Sequence, residues 1–170
     1  MKPAAEESAM GGSTAPTVEA YVTATPPDPQ RRDELLSRLN ACVERGTVEE
    51  LTVSIWPRAV SLTCSLPVES PVERVREFEQ WAADNDVSLE PAFETRTVQS
   101  AILDCEECVL RLPTMCLACY HDGDLIHVAP CSTPDAHISV EMTVTALETE
   151  VDLVPQTIAS GEISSRTAGR

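Results

Sequence analysis

Two apolar runs, Met115 to Tyr120 and Leu125 to Val128, lie on either side of Asp122-Gly123. An Asp-Gly pair supplies the positive φ values that a two-residue primed turn requires, so this segment is predicted to be a β-hairpin. With Asp122-Gly123 as the turn, Cys119 is expected opposite Ile126 and Leu117 opposite Val128. Because side chains alternate along a strand, Met115, Leu117, Cys119, Ile126 and Val128 should share one apolar face, with Cys116 and Cys131 on the other.

The segments around the hairpin carry two other periods. Val18, Ala20 and Val22 alternate with Glu19 and Tyr21, which predicts a strand to about Thr23, broken by Thr25-Pro26-Pro27-Asp28-Pro29. Leu35, Leu36, Leu39, Cys42 and Val43 recur at helical spacing and stop at Gly46, which places Cys42 on a core-facing stripe. Leu51, Val53 and Ile55 predict a second strand, followed by Trp56-Pro57 and an apolar piece from Ala59 to Leu62. A second helix is predicted from Ser70-Pro71, with serine as cap, proline in the first turn, the stripe Val72, Val75, Phe78 and Ala82, and Asn85 as its end. A loop is expected around Pro91. Strands are predicted at Val98 to Leu103 and Cys108 to Leu112, with Asp104 to Glu107 as the turn. Ser139 to Glu148 fits a helix by position, although Ile138, Val140, Met142 and Val144 alternate as in a strand.

Residues 1–16 are rich in Ala, Gly, Ser, Pro and Glu without apolar periodicity and are expected to form a disordered acidic arm. Residues 17–148 are expected to form a single domain, and 149–170 a flexible tail. No apolar run approaches the roughly 18 residues a membrane span requires, and no signal-peptide core is visible, so a cytoplasmic protein is expected. Seven cysteines in that compartment point to reduced thiols rather than a disulfide framework.

Charge narrows the setting. There are 28 acidic residues against 12 basic ones, a net charge of −16, and Lys2 is the sole lysine. Such a surface repels itself in dilute buffer, where the Debye length is about 30 Å at 0.01 M, whereas molar salt shortens it to about 3 Å. This balance is expected of a protein from a salt-accumulating, halophilic cytoplasm. It also disfavours nucleic-acid binding, because no basic cluster is present to displace counterions from phosphates.

The order strand, helix, strand, helix, irregular crossing, hairpin, helix, with Leu112-Pro113-Thr114 leading into the hairpin, resembles the thioredoxin-like superfamily. Pro113, Thr114, the apolar run from Met115, Tyr120 and Gly123 match that family's positions in kind. The resemblance implies an α/β fold with a central mixed sheet, helices on both faces and a cis-proline at Pro113. The family's redox Cys-x-x-Cys belongs at the first strand-to-helix junction, where this chain has Thr23-Ala24-Thr25-Pro26-Pro27-Asp28 and no cysteine. Thiol–disulfide exchange is therefore unsupported at that position. As a whole, the chain also resembles short haloarchaeal proteins, some of which carry a helix-turn-helix label.

Five cysteines, Cys105, Cys108, Cys116, Cys119 and Cys131, fall in one stretch. Two Cys-x-x-Cys pairs suggest a four-thiolate zinc site. Only seven residues separate the pairs, however, and strand parity assigns Cys119 to the core. The remaining candidate metal ligands are Cys105, Cys108, Cys116 and Cys131; the alternatives are a redox or regulatory disulfide and buried, inert thiols. Glu106 and Glu107 beside two thiols would raise their pKa values. His121, His127 and His137 are the only histidines, and a Cys116–His127 dyad is conceivable but lacks an orienting acid. Six glycines form no phosphate-cradling loop. The leading expectation is a non-catalytic thioredoxin-like interaction module that offers a sheet edge or the Pro113 surface to a protein partner. A cysteine-based metal or redox protein is the first alternative and a transcription-associated helix-turn-helix protein the second, the latter opposed by the strand predicted between the first two helices.

Overall fold

The computed structural model describes residues 15–62, 71–102, 104–154 and 158. The elements in chain order are β1 (Thr17–Val22), α1 (Pro29–Arg45), β2 (Glu50–Ile55), β3 (Ala59–Ser61), α2 (Pro71–Asp84), β4 (Glu94–Ser100), β5 (Cys105–Arg111), β6 (Met115–His121), β7 (Asp124–Ala129), β8 (Cys131–Ser132), β9 (His137–Ile138) and α3 (Val140–Glu148). A four-stranded sheet runs in the order β2-β1-β6-β7, a three-stranded sheet in the order β3-β5-β4, and β8 and β9 form a short ribbon. β1 and β2 are parallel, and β1–β6 and β6–β7 are antiparallel. The protein is thus a mixed α/β fold around a mixed sheet.

Local chemistry sets the helix ends. Asp28 Oδ1 accepts from the Arg31 amide at 2.9 Å, and Pro29, which has no amide hydrogen to satisfy, starts α1. At the other end Gly46 adopts φ 83°, its amide donates to Val43 O and the Thr47 amide to Cys42 O, which is the double bond of a Schellman termination. Ser139 Oγ accepts from the Met142 amide at 3.1 Å and caps α3. Val140, Thr143, Val144 and Leu147 are buried at helical spacing, which decides the ambiguous segment in favour of helix.

Both faces of the four-stranded sheet are covered. Val18, Ala20, Leu117 and Cys119 pack against Leu35 and Leu39 of α1 and Val144 of α3. On the other face Cys116 and Ala118 pack with Val75, Phe78 and Trp81 of α2. Burying each of the Val, Leu and Phe side chains among them contributes about 1.5–3 kcal/mol. Residues 149–154 depart from the flexible tail expected from 149 onward. Val151 and Leu153 pack on the core, the Val151 amide donates to Ala146 O, and Ile158 is buried. The expected arm falls almost wholly on residues 1–14, outside the described residues, as does Cys64.

Two strand expectations are corrected. Of the predicted turn at Asp104–Glu107, Asp104 (φ 48°) stays in the turn while Cys105, Glu106 and Glu107 belong to β5, and β4 starts at Glu94, with Ser100 opposite Cys105 and Thr97 opposite Cys108. Glu94-Thr95-Arg96-Thr97 carries β-branched residues but no apolar alternation, so periodicity missed it. In the hairpin, Asp122 (φ 52°) and Gly123 (φ 86°) form the expected turn, and Tyr120 lies opposite Leu125. A bulge then takes up Ile126, so Cys119 pairs with His127 and Leu117 with Ala129. One extra residue reverses the facing of everything beyond it, which sends Val128 to the α2 side.

Candidate functional site

The four candidate cysteines do not converge. β5 carries Cys105, which is exposed, and Cys108, which is half-buried, three residues apart and so on opposite faces. Cys105 stands six residues before Arg111, a run of about 20 Å of strand, whereas Cys116 and Cys131 are buried beside α2. Among the described residues no group of three or more His, Cys, Asp or Glu side chains could hold a metal ion. The donor set Cys105, Cys108, Cys116 and Cys131 therefore does not fit zinc, because no four-thiolate cage forms. Burial pushes the Cys119 and Cys131 thiols up to about 12. It pushes Cys116 well above the ordinary thiol range, with further contributions from Cys119 and Cys131. Such groups remain protonated and are poor nucleophiles.

His127 is fully buried, with Nε2 2.9 Å from Thr143 Oγ1 and its ring edge-on to Trp81 at 5.7 Å. The Thr143 hydroxyl also lies 3.3 Å from Ser139 O, and His127 Nδ1 has no hydrogen-bond partner among the described residues. Burial lowers the imidazole to about 3. Because of the bulge His127 stands opposite Cys119, so the Cys116–His127 dyad is not formed. His121 sits at the hairpin turn with Nδ1 3.3 Å from Asp122 Oδ2, and His137 Nδ1 lies 3.2 Å from Ser132 Oγ.

The proline expectation is corrected as well. The cis peptides among the described residues are Glu90–Pro91 and Ala129–Pro130, and Leu112–Pro113 is not one of them. Pro113 and Pro130 nevertheless meet across a cleft of about 350 Å³ at the N-terminus of α1, which Pro26, Pro27 and Met115 also line. This is the candidate site. The sequence carries no signal for Pro130, since Ala-Pro at a strand end does not reveal its isomer.

Most of the polar side chains around the cleft are already engaged. Asp28 caps α1 and Ser139 caps α3. Arg31 forms an ion pair with Glu141, and His137 meets Ser132. The walls are therefore mainly proline rings and apolar side chains, suited to contact rather than to proton transfer.

A family model described as a helix-turn-helix domain matches residues 11–152, and the chain belongs to that family. No curated protein and no solved structure matches it. Among the described residues no two helices follow one another through a short turn, since β2 and β3 lie between α1 and α2 and six strands lie between α2 and α3. No helix among them is long and apolar enough to cross a membrane.

Proposed function

We propose that the protein is a non-catalytic interaction module with a thioredoxin-like core, adapted to a salt-rich cytoplasm, that receives an extended apolar segment of a protein partner in the cleft between Pro26, Pro113 and Pro130. The observation that carries this reading is the cleft itself, with apolar walls and polar groups committed to helix caps and an ion pair. Support for the thioredoxin-like core comes from the strand order β2-β1-β6-β7, with α1 and α3 on one face and α2 on the other. Residues 23–28, which contain no cysteine, argue against thiol exchange.

A second reading follows from the family match, because a helix-turn-helix name suggests DNA binding. The net charge of −16 and the strands between the helices weigh against it. The two readings separate by selection in molar KCl against a random peptide library and a random double-stranded DNA library. The proposal expects enriched peptides whose binding falls at least tenfold in Pro27→Trp, which fills the cleft from an exposed wall. Enrichment of a DNA sequence with no peptide enriched would overturn it.

A further inference from the structure

β2 ends the four-stranded sheet, and among the described residues no strand pairs with its outer side. The Trp56 amide donates to Val22 O at 3.0 Å, which turns the even-numbered amides of β2 toward β1 and those of Leu51, Val53 and Ile55 outward. Val53 is 48% and Ile55 71% exposed. A bare edge carrying two branched apolar residues is a template for another strand, and natural edges are usually shielded by lysine, proline or a bulge. This edge has none of them until Pro57.

We propose that β2 pairs antiparallel with β2 of a second copy of this chain, in the register centred on Ser54. Symmetric pairing must join outward-facing residues, so only odd-numbered positions can exchange hydrogen bonds. Centring on Ser54 sets Val53 opposite Ile55 of the second copy and the reverse, with both exchanging amide bonds and their side chains touching on one face. The same register brings Glu50, the first residue of β2, toward Arg58, which lies just past Pro57 at the end of the strand, and neither has an ion-pair partner among the described residues. Centring on Val53 instead would set Glu50 opposite Trp56 and Arg58 opposite Val48, leaving both charges unmatched. Pro57 lies opposite Leu51 and, having no amide hydrogen, ends the ladder. The edge is therefore complementary to itself in charge and in apolar contact. No residue of β2 lines the proline-lined cleft, and mass and peptide binding are read separately, so failure of this pairing is distinguishable from failure of that reading.

Sedimentation equilibrium of the full chain in molar KCl tests it. The expected mass is about 37 kDa, twice the chain mass of 18.4 kDa. Val53→Pro removes an outward amide without touching the bonds to β1 and should return the chain mass with an unchanged circular dichroism spectrum. Should that variant unfold, Ile55→Lys decides in its place, with the same expected halving. Glu50→Arg and Arg58→Glu should each weaken association several-fold, and the double exchange should restore it. A wild-type mass of 18.4 kDa, or a folded Val53→Pro or Ile55→Lys that keeps the doubled mass, overturns the proposal. A monomer whose Val53 and Ile55 amides exchange slowly also overturns it, since another part of the chain would then lie on β2.

Discussion

The indole Nε1–H of Trp56 donates to the carbonyl oxygen of Pro113 at 3.1 Å. β2 and β6 flank β1, and where β1 stops at Val22 the chain segments beyond them come together. The Leu112 amide donates to Arg58 O, and β3 pairs with β5. Trp56, stacked on Tyr21 with ring centroids 4.8 Å apart, bridges these segments beside the proline that lines the cleft. Trp56→Phe keeps most of the packing but orphans the Pro113 carbonyl. A loss of about 1–2 kcal/mol is expected in urea unfolding at constant molar KCl.

His127 gives the fold an acid limit. Its folded value of about 3 lies below the ordinary 6.5 because burial disfavours the charged ring. The unfolded chain therefore binds the proton first as pH falls. The stability conferred by the neutral ring is present above about pH 6.5 and is lost progressively toward pH 3. From this group alone the slope is about 1.4 kcal/mol per pH unit over that window. His127→Gln should flatten the slope between pH 6 and 4 in thermal melts, at some cost in stability at pH 7.

Thiol labelling should follow burial rather than position in the cysteine-rich stretch. With N-ethylmaleimide under native salt, Cys105 is expected to react first and Cys108 more slowly. Cys42, Cys116, Cys119 and Cys131 should react only at the rate of unfolding. Mass spectrometry of quenched digests reads this directly, and equal rates for Cys105 and Cys116 would contradict the placement of Cys116.

Most elements could be read from the sequence because their signals were local. The Leu35–Val43 stripe and Gly46 marked α1, Pro71 and the stripe from Val72 to Ala82 marked α2, and Asp122-Gly123 set the hairpin turn. What escaped depended on tertiary context. Ile126 is an ordinary β-branched strand residue, so the bulge that redirects His127 and Val128 has no mark in the sequence. The first half of β4 was missed because Glu94-Thr95-Arg96-Thr97 is polar throughout, and the predicted strand began only at Val98. The site was only half legible: Pro113 lines the cleft but is not cis, and its counterpart Pro130 comes from the far side of the hairpin. The cysteine pairs looked like metal ligands because spacing was visible while the length of β5 was not.

Salt should hold the fold together. With a net charge of −16, lowering KCl from molar to 0.01 M lengthens the Debye length from about 3 to about 30 Å and lets the acidic surface repel itself. Loss of the far-UV circular dichroism signal is expected on dialysis, recovering on salt return. Retained folding without salt or divalent cations would contradict the halophilic reading.

The most direct test of the central claim is amide chemical-shift mapping of the full chain in molar KCl during titration with a library-selected peptide and, separately, with double-stranded DNA. The account predicts that peptide shifts concentrate at residues 26–31, 113–115 and 137–141, around the proline-lined cleft, with no shifts from DNA. Shifts from DNA, or peptide shifts that leave those three segments unmoved, would contradict it.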